Sequence, residues 1–293
     1  MLPLRHFRSA LLALFPSAFA CAAAPPSPSA LPPHATSASA SAAAHAPRAT
    51  CFVLRQLDGA LRVRTGGDTC ATRFWPASTF KVPHTLIALE TGARTGPDDR
   101  ETWDGTNVYP DACRADQTLT TALQNSCVWY YKRTAAKIGR ARMAEWLGKL
   151  HYGNQEIGEG KAFWLEGPLT ISADEQVDLM EGLARRTLPF APATMNAVDV
   201  MMLQTPGYFR RSSQFDVGVT WDAATTTIHA KSGSADDDSG ARPNVRWFVG
   251  HLTAGGHPYA FASLVTGHGE LSTEALTQAA QALADAGLVR RGR

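Results

Sequence analysis

From Cys51 to Thr65 the chain reads CFVLRQLDGALRVRT, two apolar-rich runs on either side of Asp58-Gly59, a pair that favours a tight turn. This predicts a β-hairpin. The period then lengthens. LIALETG reads as a helix that stops at Gly92, and the apolar spacing is again helical from Gln117 to Gly139. ARMAEWLGKL adds a short helix, and TISADEQVDLMEGLARR opens with Ser172 and Glu175 at capping-box spacing. Beyond Phe215 the texture turns to β: FDVGVTW, TTTIHAKSG, VRWFVGHLT and YAFASLVT are separated by turn residues. STEALTQAAQALADAG then closes the chain as a helix. Strands at both ends with helices between predict one mixed α/β (α+β) domain. Its antiparallel sheet is built from N- and C-terminal strands and flanked by helices, with a second, mainly helical lobe. A cleft between two lobes is a common place for a small-molecule site.

Composition changes the picture at the N-terminus. Residues 1–20 join a basic start (Arg5, His6, Arg8) to an apolar run that ends in Ala18-Phe19-Ala20. That is the pattern of a secretory signal, and the run is short for a membrane span. Cleavage is expected before Cys21. AFAC is also a loose match to a lipid-attachment box, with Ala18 where leucine is usual, so a lipoprotein through Cys21 is the alternative. Residues 21–49 are Ala, Pro and Ser with almost no large apolar groups, and read as a disordered tether. The folded domain is expected at residues 50–293. Hydrophobic residues make up 44% of the chain, enough for a core. The net charge of +2, without a basic run, gives no reason to expect a nucleic-acid partner, and no second apolar segment reads as membrane-spanning. The five cysteines (Cys21, Cys51, Cys70, Cys113, Cys127) match no zinc spacing. Export permits disulfides, and Cys51 and Cys70, which flank the hairpin, are the expected pair.

Candidate chemistry begins at FWPASTFKVPHT, which sets Ser78 and Lys81 three residues apart. On a helical turn these positions share a face, so the amine can reach the hydroxyl. A serine needs a base to act as a nucleophile, and a lysine that is protonated cannot be one. The bland alternative is an N-cap serine beside a surface lysine. Pro83 makes the first helical turn irregular in either case. Ser126, within a segment read as helical, would ordinarily bond back to a carbonyl. Tyr152-Gly153-Asn154 suits a turn, Trp164 suits a core, and Lys231-Ser232-Gly233 suits the exposed end of a strand.

The combination is more telling than its parts. S-x-x-K, S-x-V, Y-G-N, F-W-L-E-G and K-[ST]-G follow in this order, with PASTFK, LIALETG and RWFVG beside them. From about Cys51 to Val289 the chain resembles the class D β-lactamases, or oxacillinases, with S-x-x-K and K-T-G shared more widely among β-lactamases and penicillin-binding proteins. The resemblance implies a β-lactam substrate, with Ser78 as the acylated nucleophile. It implies that Lys81 serves as general base in the form of a carbamate made with carbon dioxide, steadied by the Trp164 indole N–H. Burial among Phe80, Val128 and Trp164 would supply the neutral amine that carbon dioxide attacks. Ser126 and Lys231 would relay a proton to the lactam nitrogen. Ser232 and Lys231 would meet the substrate carboxylate, the backbone N–H groups of Ser78 and Ser234 would form the oxyanion hole, and Gly233, Val128 and Tyr152 would complete the substrate site, with Asn154 near its wall. No metal or other cofactor is implied, and the location implied is the periplasm.

Two departures stand out. An arginine that commonly clamps the substrate carboxylate shortly before the last helix is missing from VTGHGELSTEALTQ, which offers His268, Glu270 and Glu274 instead. Arg242 or Arg246 would replace it only if their loop turned inward. Cys127, between Ser126 and Val128, is read as a small buried thiol with a structural role. Competing readings are a β-lactam sensor that stays acylated, and a penicillin-binding peptidase.

Overall fold

The computed structural model describes residues 48–57, 61–160, 162–212, 215–269 and 273–292. The signal and most of the tether, the Asp58-Gly59 turn and Glu270 lie outside the described residues. Along the chain come β1 (Ala49–Gln56), β2 (Leu61–Thr65), α1 (Lys81–Glu90), β3 (Arg100–Glu101), β4 (Gln117–Thr118), α2 (Leu119–Gln124), α3 (Val128–Ile138) and α4 (Arg140–Lys149). Then follow α5 (Ala173–Arg185), α6 (Pro192–Met202), β5 (Gly207–Ser212), β6 (Phe215–Thr220), β7 (Thr226–Ala235), β8 (Asn244–Ala254), β9 (His257–Gly267), α7 (Glu274–Asp285) and β10 (Arg290–Arg291).

The main sheet is antiparallel, in the order β2-β1-β9-β8-β7, so N- and C-terminal strands do join. The hairpin β1–β2 pairs Phe52 with Thr65 and Leu54 with Val63. Both faces of this sheet are covered. Phe52 and Leu54 of β1 pack with Phe248, Phe261 and the α7 residues Ala279 and Leu283, while Cys51 and Val53 belong to the larger core shared with α1, α3 and α5. That is why VRWFVGHLT and YAFASLVT read as near-continuous apolar runs: neither face needs polar residues. The capping box at α5 is present, with the Ser172 hydroxyl accepting from the Glu175 N–H and the Glu175 carboxylate accepting from the Ser172 N–H.

The stretch from Gln117 to Gly139 is not one helix. It is a two-residue strand, then α2 and α3, with a break at residues 125–127 where Ser126 takes φ 65°. Apolar spacing runs unchanged across this break, so periodicity cannot see it. Cys127 is no thiol either: it is disulfide-bonded to Cys113, and Cys51 is bonded to Cys70 as expected. Helix α6 and strand β5 were not read from the pattern, although Pro192 at a helix start is a usable signal.

Candidate active site

Ser78 sits in a short 3-10 turn, Ala77–Phe80, that precedes α1 rather than in the α-helix itself. Pro83 falls in the first turn of α1, where a missing N–H is tolerated. Ala77, just before the serine, has φ 50°, a left-handed conformation costing about 1–3 kcal/mol in a non-glycine residue. Its neighbours hold it there. Phe74 exchanges two backbone hydrogen bonds with Ile171 (2.9 and 2.8 Å), the Ala77 N–H donates to the Trp164 carbonyl (3.0 Å), and Trp75 Nε1 donates to the Gly167 carbonyl (2.8 Å). These bonds place Trp164 beside Ser78. From below, Trp247 Nε1 of RWFVG donates to the Trp75 carbonyl at 2.8 Å. Gly233 of β7 lies so close to this turn that a Cβ there would stand 3.0 Å from the Thr79 N–H nitrogen. Glycine at that position lets the strand approach the serine.

Lys81 is fully buried, and its Nζ is 2.7 Å from Ser78 Oγ. Desolvation pushes its pKa well below that of an ordinary lysine, and the like charge of Lys231 pushes the same way. Around it are aromatic faces. The Tyr131 ring centroid lies 5.4 Å from Lys81 Nζ, and Phe80 stacks on Trp164 with ring centroids 5.9 Å apart. His84, one turn further along α1, packs against Phe80, Tyr131 and Trp164. Burial, with Lys81 and Arg94 nearby, brings its pKa down to about 3. Neither of its ring nitrogens has a hydrogen-bond partner, and Trp164 Nε1 has none either. Buried donors of this kind are rare and ask for an acceptor.

Ser126 and Lys231 meet across the cleft. Lys231 Nζ, from β7, donates to Ser126 Oγ at 3.2 Å and to the Ser232 carbonyl at 2.8 Å. The turn that carries Ser126 is held by the Cys113–Cys127 disulfide and by Trp129 Nε1, which donates to the Cys113 carbonyl. A cleft of about 220 Å³ opens above Ser78, walled by Ser126, Val128, Leu165, Ser232 and Ser234, with Tyr109-Pro110 at its side. Ser78, Ser126, Val128, Ser232, Gly233 and Ser234 thus share one cavity, with Lys81 beneath the serine. The Ser78 hydroxyl thus has a desolvated amine as neighbour, and a second lysine lies behind the Ser126 hydroxyl.

Residues 50–286 match the penicillin-binding protein transpeptidase domain family. The chain is 35% identical to the probable β-lactamase YbxI of Bacillus subtilis (strain 168), over 66% of each protein, so it spans just under two thirds of that relative. It is 32% identical to β-lactamase OXA-10 of Pseudomonas aeruginosa, over 68% of this chain and 72% of that one. The crystal structure of FUS-1 (OXA-85), a class D β-lactamase from Fusobacterium nucleatum subsp. polymorphum, superposes with a TM-score of 0.70 at 30% identity, over 82% of this chain and 93% of that one. The chain belongs to the class D β-lactamases.

Enzymes of this class work through a serine and need no metal. Four further placements bear on the sequence reading. Tyr152 is buried with its ring edge against Phe80 and is not among the residues lining the cleft. Asn154 braces the neighbouring loop, accepting from the Thr170 N–H and donating to the Pro168 carbonyl. Arg246 is not in a loop: it lies buried on β8 opposite Ser234, with Nη1 2.7 Å from Asp236. Arg242 stacks over Trp75 at 4.8 Å, and neither arginine lines the cleft. At the start of α7, Glu274 pairs with Arg48. Sequence reasoning missed His84, whose single aromatic-like position in an apolar helix looks like ordinary core, and Cys113, whose partner is hidden by the helical period.

Proposed function

We propose that this class D β-lactamase hydrolyses β-lactam antibiotics, penicillins and oxacillin-type compounds among them, and so confers resistance. The observation that carries this is the pairing of Ser78 with a desolvated, fully buried Lys81 at 2.7 Å. The lactam carbonyl sits between the backbone N–H groups of Ser78 and Ser234, which take the charge that develops on its oxygen. Ser78 Oγ bonds to the carbonyl carbon as its proton leaves, the C–N bond breaks, and Ser126 hands the nitrogen a proton that Lys231 replaces. Ser232 and Lys231 hold the substrate carboxylate. Water then cleaves the ester and frees Ser78.

The chamber suits a carbamate on Lys81: the amine is desolvated, and the buried Trp164 N–H lacks an acceptor. Carbon dioxide added there supplies a carboxylate-like base, which accepts the serine proton and later activates the water. Export to the periplasm fits the two disulfides and the signal-like residues 1–20, with residues 21–49 as tether and residues 50–293 as the catalytic domain.

Mass spectrometry after brief β-lactam exposure should place the adduct on the Ser78 peptide, and a chromogenic β-lactam should be turned over repeatedly, faster with bicarbonate than in degassed buffer. An adduct on Ser126 or Ser232 would reject the assignment. One equivalent of product and no more would make the chain a sensor, and full turnover in degassed, mildly acid buffer would remove the carbamate.

A further inference from the structure

Ser126 is held in a backbone conformation that serine does not favour. Its φ is 65°, in the left-handed region, where a glycine would sit without strain but would bring no hydroxyl. Two backbone hydrogen bonds close the end of α2 around it: the Ser126 N–H donates to the Leu123 carbonyl at 3.3 Å, and the Cys127 N–H to the Ala122 carbonyl at 2.9 Å. Cys127 then stands at the N-cap of α3, where a Ser, Thr, Asp or Asn side chain commonly accepts from the first turn, and its side chain makes no such bond. Its sulfur is joined to Cys113 instead.

The other end of this crosslink is anchored away from α2. The Cys113 N–H donates to the Pro110 carbonyl at 2.8 Å, the Cys113 carbonyl accepts from Trp129 Nε1 of α3 at 2.9 Å, and Gln117 Nε2 donates to the Ala112 carbonyl at 2.8 Å. Both cysteines are fully buried. The disulfide therefore ties the Tyr109-Pro110 side of the cleft to the wall made by Ser126 and Val128. Cys51–Cys70 does nothing of the kind. It joins β1 to the 3-10 turn after β2, and neither its cysteines nor their chain neighbours line the cleft.

We propose that the Cys113–Cys127 disulfide is a positioning device for the reaction: it aims the Ser126 hydroxyl so that a proton reaches the lactam nitrogen as the C–N bond breaks. Lys231 Nζ lies 3.2 Å from Ser126 Oγ, at the long end of a useful hydrogen bond, so a small turn of the Ser126 backbone breaks the relay. This rests on the β-lactam reading above. In that step Ser78 Oγ bonds to the carbonyl carbon and the C–N electron pair goes to nitrogen. Nitrogen takes the Ser126 proton, and Lys231 returns one to Ser126. A leaving group that needs no proton bypasses the relay. A 4-nitrophenyl ester expels 4-nitrophenolate with the C–O electron pair and makes no demand on Ser126.

The test compares benzylpenicillin with the 4-nitrophenyl ester of phenylacetylglycine, which carries the same side-chain amide, and reads the pre-steady-state rate at which Ser78 is acylated. In Cys113→Ala, Cys127→Ala and the double variant, acylation by penicillin should fall about tenfold or more while the nitrophenolate burst stays within about threefold. Removing Cys51–Cys70 by the paired alanine changes should leave the ratio of the two rates as it is. Trp129→Phe keeps the disulfide but deletes the Nε1 bond to Cys113, so it should move the ratio the same way by less. It decides the matter if the cysteine variants do not fold. Added to Ser126→Ala, Cys113→Ala should lower penicillin acylation little further, because both act through one hydroxyl. Equal losses on the two substrates, an unchanged penicillin rate without the disulfide, the same change of ratio on losing Cys51–Cys70, or full additivity with Ser126→Ala would each overturn the positioning role. A wild type that penicillin does not acylate would overturn the β-lactam reading, and this role with it.

Discussion

Lys81 and Asp199 are both charged side chains taken out of water, and the molecule treats them in opposite ways. Around Lys81 are rings and a second cation, and among the described residues no carboxylate pairs with it. Around Asp199 everything is a partner. Arg186 Nη2 lies 2.5 Å from one carboxylate oxygen, His251 Nε2 lies 2.6 Å from the other, and His229 Nδ1 donates to the Asp199 carbonyl at 2.7 Å. Burial alone would push this carboxyl up, but the hydrogen bond to His251, the electrostatic influence of His251 and His229, and the hydrogen bond from Arg186 outweigh it and bring it down to about 2. The side chains of Asp199, His229 and His251 lie within 4.8 Å of one another, a spacing that metal ligands also show. Here, however, both carboxylate oxygens are already taken. A buried charge with partners ties α6 to β7 and β8. A buried amine without them holds its proton weakly, which is what the proposed base requires. Burial by itself therefore does not mark a catalytic group; burial without compensation does.

The comparison breaks most visibly at Lys81. Lys81→Met should reduce β-lactam turnover at least about 10³-fold, since it removes the proposed base. The same change should raise thermal stability in degassed buffer at neutral pH. The sign follows from linkage: burial and the like charge of Lys231 hold the folded pKa of Lys81 well below the ordinary 10.5, so the unfolded chain binds this proton more tightly than the folded chain does. Methionine removes that cost. A variant that is both inactive and less stable than the parent in thermal unfolding would mean that Lys81 is not strained by its surroundings.

At Asp199 the expectation reverses. Asp199→Ala leaves Arg186 and His251 without their acceptor and should destabilise the fold by about 3–5 kcal/mol in denaturant titration. The hydrolysis rate per folded molecule should change by no more than a few-fold. Acid should act in the same direction in the parent. With a folded pKa of about 2 against 3.8, this group stabilises fully above pH 4 and its contribution fades between about pH 4 and 2. An Asp199→Ala protein as stable as its parent, or folded but inactive, would erase the distinction between clamp and reagent.

These two regions were not equally legible. Ser78, Lys81, Ser126, Lys231 and Trp164 stand out because short motifs carry chemistry in residue types that a core seldom needs. The terminal hairpin, the late strands and α7 stand out because period and turn residues agree. The Asp199 clamp was invisible. Its members come from residues 186, 199, 229 and 251, and each alone looks like a surface charge or a strand histidine. Only the pairing of β7 with β8, His229 opposite His251, brings them together. The break at Ser126 was hidden for a related reason. A disulfide to Cys113, not the apolar pattern, turns the chain there. Local pattern reports local structure, and groups that meet across the sheet leave no such trace.

His84 sharpens the comparison where the effect is smallest. Like Lys81 it is buried without a charged partner, yet its place is structural in the fold as it stands, wedged between Phe80, Tyr131 and Trp164. Its folded pKa of about 3, against 6.5 in an unfolded chain, means that the unfolded state gains a proton first as the pH falls. Stability should therefore decline below about pH 6.5 by on the order of 1.4 kcal/mol per pH unit from this group alone. His84→Leu deletes two unpartnered nitrogens at similar bulk. It should flatten that slope between pH 6.5 and 4 in chemical denaturation and leave stability at pH 8 equal or slightly higher. An unchanged slope would mean that His84 is hydrogen-bonded or protonated in the folded protein. The base chamber would then hold a polar partner, and its contrast with the Asp199 clamp would shrink accordingly.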